Sequence, residues 1–203
     1  MKKLKLEIEK FSCLRTSIEL GKDEIYCGGF FIPVKKEGKN IKWGKVTNFV
    51  TNDFSMGKGV MEVRVDYECE LDYSGYDDYM LIFQLIEKDD GIIQQKFKND
   101  EVAKEFENID IIGNAIRKLL ESLDLEGIDL KDILASLTKM VVKGLPAVII
   151  SLVGDIAKQI KMDDIISTKQ FSKQEVEKFS SSTEFLFSKM FAKYNVTIKM
   201  TEL

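Results

Sequence analysis

The chain has 203 residues, 44% of them hydrophobic, so it can bury a substantial core as one domain with an insertion or as two small domains. Its 30 basic and 34 acidic residues leave a formal net charge of -4. No concentrated basic face is visible, which disfavours general nucleic-acid binding. The absence of histidine excludes Ser-His and Cys-His nucleophile pairs and histidine-based zinc sites.

The cysteines and the N-terminal segment bear on the compartment. Cys13, Cys27 and Cys69 are odd in number and widely spaced, which argues against a disulfide framework or a metal knuckle and favours buried free thiols. The segment MKKLKLEIEKF begins like the basic part of a signal peptide, but its charged residues interrupt any apolar region. We therefore expect a cytoplasmic protein, or one exported without a cleaved signal peptide.

The first ninety residues carry the two-residue periodicity of β-strands. Apolar side chains alternate with charged ones near the start, at Leu4, Leu6 and Ile8. Residues 25–34 form an aromatic-rich apolar run with Pro33 near its end. Residues 36–44 predict a turn or loop before another strand at 46–50.

The clearest strand pattern lies between residues 61 and 72. Apolar side chains alternate there with mostly acidic ones, so one face is predicted to be buried and the other acidic and wet. The apolar positions are Met61, Val63, Val65, Tyr67, Cys69 and Leu71. After a turn at 73–78, residues 80–86 are apolar at nearly every position, which predicts a strand covered on both faces.

Past Gly91 the hydrophobic period changes to three and four residues, which is typical of amphipathic helices. This spacing predicts three helices, at 102–123, 130–141 and 146–160. Gly144 suits a helix C-cap, and Pro146 suits the first turn of the helix that follows. Residues 91–162 are therefore predicted to form a small helical unit.

Strand signals return after residue 162, at 165–171, 185–187 and 194–200. Ser172 and Glu175 have capping-box spacing, which predicts a short helical turn between the first two of these strands. Three such strands are too few for a stable sheet of their own, so we expect them to return to the first sheet.

The predicted fold class is α+β. An antiparallel β-sandwich is built discontinuously from residues 1–90 and 163–203, and the helical unit is inserted at 91–162. The strands on either side of the insertion should be neighbours, so the junction acids at 89–90 and 163–164 should lie close together.

Three short segments resemble C2 domains. Residues 23–30 (DEIYCGGF) resemble the Asp-Pro-Tyr-Val segment of that family, without its proline. Residues 80–90 are similar to the strand that ends in an Asp-x-Asp calcium loop, and 163–171 resemble the continuation of that loop, with Ser167 near the place of a glycine. The resemblance implies a C2-like β-sandwich with the helical unit inserted in its third top loop.

Acidic residues at the predicted strand ends suggest a calcium site. Ca²⁺ takes about six to eight oxygen ligands, and loops at one end of a sandwich bring distant carboxylates together. The candidate ligands are Asp23, Glu24, Asp89, Asp90, Asp163 and Asp164. The alternative is that these are solvated turn acids, because aspartate also occurs in turns for local hydrogen-bonding reasons.

The apolar segment at 140–153 is a second candidate feature. It is too short to span a membrane, but as a helix it can bury an apolar face in protein or in lipid. We expect a non-enzymatic binding or assembly module whose partner is a protein or a membrane surface, with Ca²⁺ as its one candidate cofactor and otherwise none. The alternative is a membrane-active toxin or bacteriocin-like protein that uses the helical insertion, and a hydrolase using carboxylates alone ranks third.

Overall fold

The computed structural model describes residues 1–15, 23–37, 40–57, 61–88, 92–101, 103–104, 164–179, 181–189 and 192–203. Within these residues the chain forms ten strands and two helices. The strands are β1 (Lys3–Arg15), β2 (Asp23–Glu37), β3 (Asn40–Trp43), β4 (Thr47–Val50), β5 (Phe54–Met56), β6 (Glu62–Asp72), β7 (Asp78–Glu87), β8 (Asp164–Ser172), β9 (Thr183–Lys189) and β10 (Ala192–Glu202). The helices are α1 (Ile92–Lys98) and α2 (Lys173–Val176).

Sheet 1 is antiparallel and has the strand order β6-β1-β10-β9. Its strands alternate as the sequence predicts. In β10 the buried positions run from Tyr194 to Met200 at every second residue, and the residues between them are at least partly exposed. In β6 the polar positions are exposed, and the apolar ones pack against the core. One face of sheet 1 is therefore interior and the other is charged and open to solvent.

Sheet 2 has the strand order β3-β2-β7-β8, and the long strand β2 also pairs with β4 and β5. One edge of β2 pairs with β7 from Ile25 to Val34. The other edge pairs in turn with β5, β4 and β3, so three short strands share one long neighbour. All of these pairings are antiparallel.

The core lies between the two sheets. Phe83 of β7 illustrates the packing, because its ring centroid lies 5.5 Å from that of Phe49 in β4 and 5.8 Å from that of Phe187 in β9. At one side Phe171 and Phe185 close the sandwich with centroids 4.9 Å apart. The predicted packing of antiparallel strands in two layers is confirmed for the described residues.

Strand β7 is buried on both faces, as its continuous apolar sequence predicts. Tyr79, Leu81, Phe83 and Leu85 belong to the core between the sheets. Ile82 on the opposite face is 0% exposed. On that face α1 covers part of sheet 2, where the rings of Phe97 and Phe30 have centroids 5.5 Å apart.

The strands that flank the insertion are adjacent and antiparallel. Glu87, at the end of β7, pairs with Asp164 at the start of β8. The insertion thus leaves and re-enters sheet 2 between two neighbouring strands. The division into a discontinuous sandwich and an inserted unit remains a prediction.

The helical insertion is described only at its start. The helix α1 begins at Ile92, earlier than the first predicted helix at 102–123. The three-helix unit is not supported here, because nearly all of its predicted helices, at 102–123, 130–141 and 146–160, lie outside the described residues.

The expectation of a turn or loop at 36–44 is wrong at 36–37 and 40–43, which are strand, and residues 38–39 lie outside the described residues. Strand β2 continues beyond Pro33 to Glu37, and β3 pairs back onto it, with Val34 opposite Trp43. Pro33 can lie inside the strand because the N–H that it lacks would face Gly44, just beyond the end of β3, and its carbonyl accepts a hydrogen bond from Gly44 N there at 2.8 Å.

The predicted helical turn after β8 is confirmed. Ser172 caps α2, and its backbone N–H donates to Glu175 Oε2 at 2.8 Å, which completes the capping box. This turn carries the chain from sheet 2 to β9 of sheet 1.

Candidate functional site

The described members of the predicted calcium site, Asp23, Glu24 and Asp164, belong to one end of sheet 2. Register places Ile25 beside Glu87 and Glu87 beside Asp164, so the starts of β2 and β8 lie on either side of the end of β7. Of the six candidates, Asp23, Glu24 and the backbone of Asp164 are described. The other three, Asp89, Asp90 and Asp163, lie outside the described residues.

Asp23 and Glu24 do not come together. Asp23 is 2% exposed, and its carboxylate accepts a hydrogen bond from the Tyr194 hydroxyl inside the sandwich. Glu24 is exposed on the other face, with Oε2 3.9 Å from Lys88 Nζ. Neighbouring residues of a strand point to opposite faces, so these two side chains do not meet at one ion.

Lys88 places a positive charge at the same strand ends. Its Nζ lies 2.9 Å from Asp53 Oδ2, and this hydrogen bond holds the pKa of the Asp53 carboxyl below its usual value. Within the described residues, no group of three or more acidic or cysteine side chains is arranged to hold a metal ion. Calcium binding at this end stays a prediction.

The Tyr194–Asp23 hydrogen bond joins the two sheets, because Tyr194 belongs to β10 and Asp23 to β2. Burial, together with the bond to Asp23, raises the pKa of Tyr194. Burial and the nearby Asp23 charge also raise the pKa of the Cys13 thiol. Both groups are therefore held protonated at neutral pH, which suits a structural role better than a nucleophilic one.

A second tyrosine–carboxylate group joins the sheets at the opposite end of β10. The Glu202 carboxylate accepts hydrogen bonds from Tyr73 through Oε2 and from Tyr79 through Oε1, the latter at 2.6 Å. Burial raises the pKa of both tyrosines, and the bonds to Glu202 raise it further. Each end of the sandwich is thus fastened by tyrosine donors on a carboxylate.

The outer face of sheet 1 carries an open depression of about 670 Å³, which we call the acidic depression. Its rim combines six carboxylates with two cations, Lys10 and Arg64. The carboxylates are Glu7, Glu9, Glu62, Asp66, Glu68 and Glu184. An excess of negative charge in a concave surface attracts cationic ligands and concentrates the field on them.

Two backbone irregularities lie at the acidic depression. The register of β1 shifts between Ile8 and Lys10 against both β6 and β10. Opposite this shift, Asp66 of β6 has a left-handed φ of 48°. Bulges bend a strand and redirect its side chains, so this irregularity accounts for a concave region on an otherwise regular face.

Ion pairs organise the charges around the acidic depression. Lys10 lies 3.0 Å from Glu62, and Lys5 lies 3.0 Å from Glu68. Although partial burial opposes it, hydrogen bonds from Lys5 and Lys199 lower the pKa of Glu7. The Glu7 carboxyl is therefore held in its ionised form at neutral pH.

Sequence reasoning found the acidic face of β6 but not the acidic depression. The alternation at residues 61–72 indicates which residues of β6 face solvent. The depression also needs Glu7, Glu9 and Glu184 from two other strands, and only register and the bulge bring these to the same place.

Comparison with known proteins finds no matching family model and no match among curated proteins. No helix in the part of the chain that the structure describes has the length and apolar character needed to cross a bilayer.

Proposed function

We propose that this chain is a non-enzymatic binding module whose binding surface is the acidic depression on the outer face of sheet 1. The observation that supports this most directly is the convergence of six carboxylates from β1, β6 and β9 in one open concave surface. The ligand class that suits it is polycationic, such as a basic segment of a partner protein.

The interior groups favour a structural scaffold. Burial raises the pKa of the Cys27 thiol and raises that of Cys69 to about 11, so both thiols are poor nucleophiles at neutral pH. The buried tyrosines donate to carboxylates that fasten the two sheets. These roles leave the outer face as the surface for recognition.

A matched pair of charge reversals tests the proposal. Glu68→Lys alters the rim of the acidic depression, whereas Glu177→Lys makes the same change elsewhere on the surface. The two side chains are similarly exposed, at 68% and 54%, and each has a lysine neighbour. Binding of fluorescent hexalysine is measured by anisotropy. We expect Glu68→Lys to weaken binding about tenfold and Glu177→Lys to leave it within about twofold, with both effects decreasing as salt is added.

Equal weakening by the two variants, or no binding of hexalysine to the unmodified protein at low salt, would overturn the assignment of this surface.

Calcium association remains part of the proposal, resting on the resemblance to C2 domains and on the acids at the junction of β7 and β8. Thermal unfolding with millimolar Ca²⁺ and with chelator tests it, because a ligand bound only by the folded state raises the melting temperature. An unchanged melting temperature would contradict Ca²⁺ binding by the folded protein. A shift that persists in Asp164→Asn places the ion away from that side chain.

The alternative proposal is a membrane-active protein that uses the helical insertion, supported by the apolar sequence at 140–153. Release of dye from anionic liposomes at acidic and neutral pH is the measurement. Release by the intact protein that is lost when an aspartate replaces Ile149 favours this alternative, and no release at either pH excludes it.

A further inference from the structure

The outer edge of β6 is not paired with any described strand. β6 is the terminal strand of sheet 1, and within the described residues only β1 pairs with it. It is eleven residues long. A long terminal strand presents a row of backbone groups that can pair with another chain, so natural proteins commonly shorten, cover or charge such edges.

The direction of the backbone groups follows from the two ends of β6. Cys13 N donates to Met61 O at 2.7 Å, and Tyr73 N donates to Lys2 O at 3.0 Å, so both flanking residues face β1. In an antiparallel pair, hydrogen-bonded and non-hydrogen-bonded residues alternate. The residues of regular strand whose N–H and C=O point away from β1 are therefore Glu62, Arg64, Glu68, Glu70 and Asp72.

The same residues carry the outer-face charges, because backbone direction and side-chain direction share a period of two. Lys5 contacts Glu68 at 3.0 Å, and Lys3 contacts Glu70 at 2.6 Å, in both cases through Oε2. Within the described residues, no ion pair involves the second oxygen of either carboxylate. The exposed fractions of these side chains are 68% and 51%.

The residues between them are apolar and only partly covered. Val65, Tyr67 and Cys69 point to the inner side of β6 and pack against the core, yet each keeps intermediate exposure. A strand added beside β6 would therefore meet acidic groups on one face and apolar groups on the other.

A second copy of this chain does not suit the edge. Two β6 strands paired about a twofold axis would set five acidic side chains and one arginine against the same set. Like charges directly opposite one another destabilise a strand pair. The charge pattern requires a partner of opposite sign.

We propose that the edge of β6 binds an extended segment of a partner protein as an additional antiparallel strand, with basic and apolar residues alternating along that segment. This rests on the proposed function and specifies its partner. Pairing runs along residues 67–72, because the left-handed Asp66 interrupts the regular edge. Main-chain hydrogen bonds supply affinity, and basic side chains beside Glu68 and Glu70 supply specificity.

Backbone methylation of a model peptide tests strand addition separately from charge. The probe is a seven-residue peptide of alternating lysine and valine. Lysines beside Glu68 and Glu70 would direct their N–H groups at β6, while valine N–H groups would point away. N-methylation at the lysines should therefore weaken binding at least about tenfold, and N-methylation at the valines should leave it within about threefold.

Amide exchange followed by NMR gives an independent readout. The unmodified peptide should slow exchange at the N–H groups of Glu68 and Glu70, while those of Tyr67 and Cys69 already face β1 and should change little. Equal binding of all three peptides overturns strand addition but leaves the charged binding surface standing. If none of the peptides binds, both strand addition and the charged binding surface are overturned. If the two methylated peptides lose affinity equally, strand addition is overturned.

Discussion

The two sheets share one core but differ in what their other faces meet. In sheet 1 the strands alternate, and outward residues such as Lys193 of β10 are exposed. In sheet 2 the middle eight residues of β7 are all buried, and α1 covers part of its outer face. The outer face of sheet 1 is therefore open to solvent, as the proposed binding surface requires, whereas that of sheet 2 is buried.

The largest expected effect comes from two substitutions in β7, which test whether the face of sheet 2 that points away from sheet 1 is as well packed as the core. Ile82 and Leu81 are both 0% exposed but belong to opposite faces of β7. Each substitution by alanine should lower the free energy of unfolding by roughly 2–5 kcal/mol, because each leaves a cavity in close-packed surroundings. Urea unfolding gives the values.

The control for this pair is Lys199→Ala on the outer face of sheet 1, where the side chain is 43% exposed. We expect a change within about 1 kcal/mol, since an exposed ion pair contributes little. If Ile82→Ala behaved like the control, the contrast between the sheets would be lost.

Tyr194→Phe tests the bonding of the sheets at one end. The variant keeps the ring and removes the hydroxyl that donates to Asp23. A hydrogen bond to a charged group contributes roughly 1.5–3 kcal/mol, and we expect a loss of that size in urea unfolding. Tyr76→Phe is the matched control, because its hydroxyl makes a longer bond of 3.3 Å to Trp43 O at an exposed position.

Gly28 and Gly29 lie on opposite faces of β2, and an alanine at each position compares how tightly the two faces are packed. A Cβ at Gly29 would lie 2.1 Å from the Ile82 carbonyl oxygen, which the backbone of β7 holds in place. A Cβ at Gly28 would lie 3.3 Å from the Phe97 ring, and a side chain can yield. Gly29→Ala should cost roughly 1–3 kcal/mol through overpacking, and Gly28→Ala clearly less, as measured by thermal unfolding.

The smallest expected effect concerns Asp78, at the start of β7. Burial raises the pKa of its carboxyl, although hydrogen bonds from the backbone N–H groups of Tyr79 and Lys173 oppose the shift. A folded-state pKa above the unfolded value means that ionisation costs the folded state stability at neutral pH, and that this cost disappears as pH falls. Asp78→Asn keeps an acceptor without the charge.

We therefore expect Asp78→Asn to equal or exceed the unmodified protein in stability at pH 7, by less than about 1 kcal/mol. The advantage should shrink when unfolding is repeated at pH 3. An advantage that grew toward low pH would contradict this account.

The sequence predicts the parts of the fold that depend on the spacing of apolar residues along a strand. The alternation of β6 and the continuous apolar run of β7 each indicate the correct number of buried faces, because side-chain direction in a strand repeats every two residues. The four residues of β3 are too few to show that period, and Pro33 favours an end to β2.

The candidate sites needed three-dimensional information that the sequence lacks. Asp23 and Glu24 are both candidates because they lie at a predicted strand end, whereas their membership of β2 sends their side chains to opposite faces. Glu184 and Glu62 lie far apart in sequence, and both reach the acidic depression only through pairings with strands between them. Register and bulges decide such meetings, and neither leaves a clear mark in a single sequence.

The position of β1 between β6 and β10 has a consequence for folding. Strand β6, on one side of β1, is separated from it by a moderate stretch of chain. Strand β10, on the other side, is far away in sequence, with Leu4 opposite Glu202. Closing so long a loop costs entropy before any contact repays it, and folds dominated by distant pairings form slowly. During synthesis β1 is made before β10, so its second edge lacks its native partner until β10 has also been made.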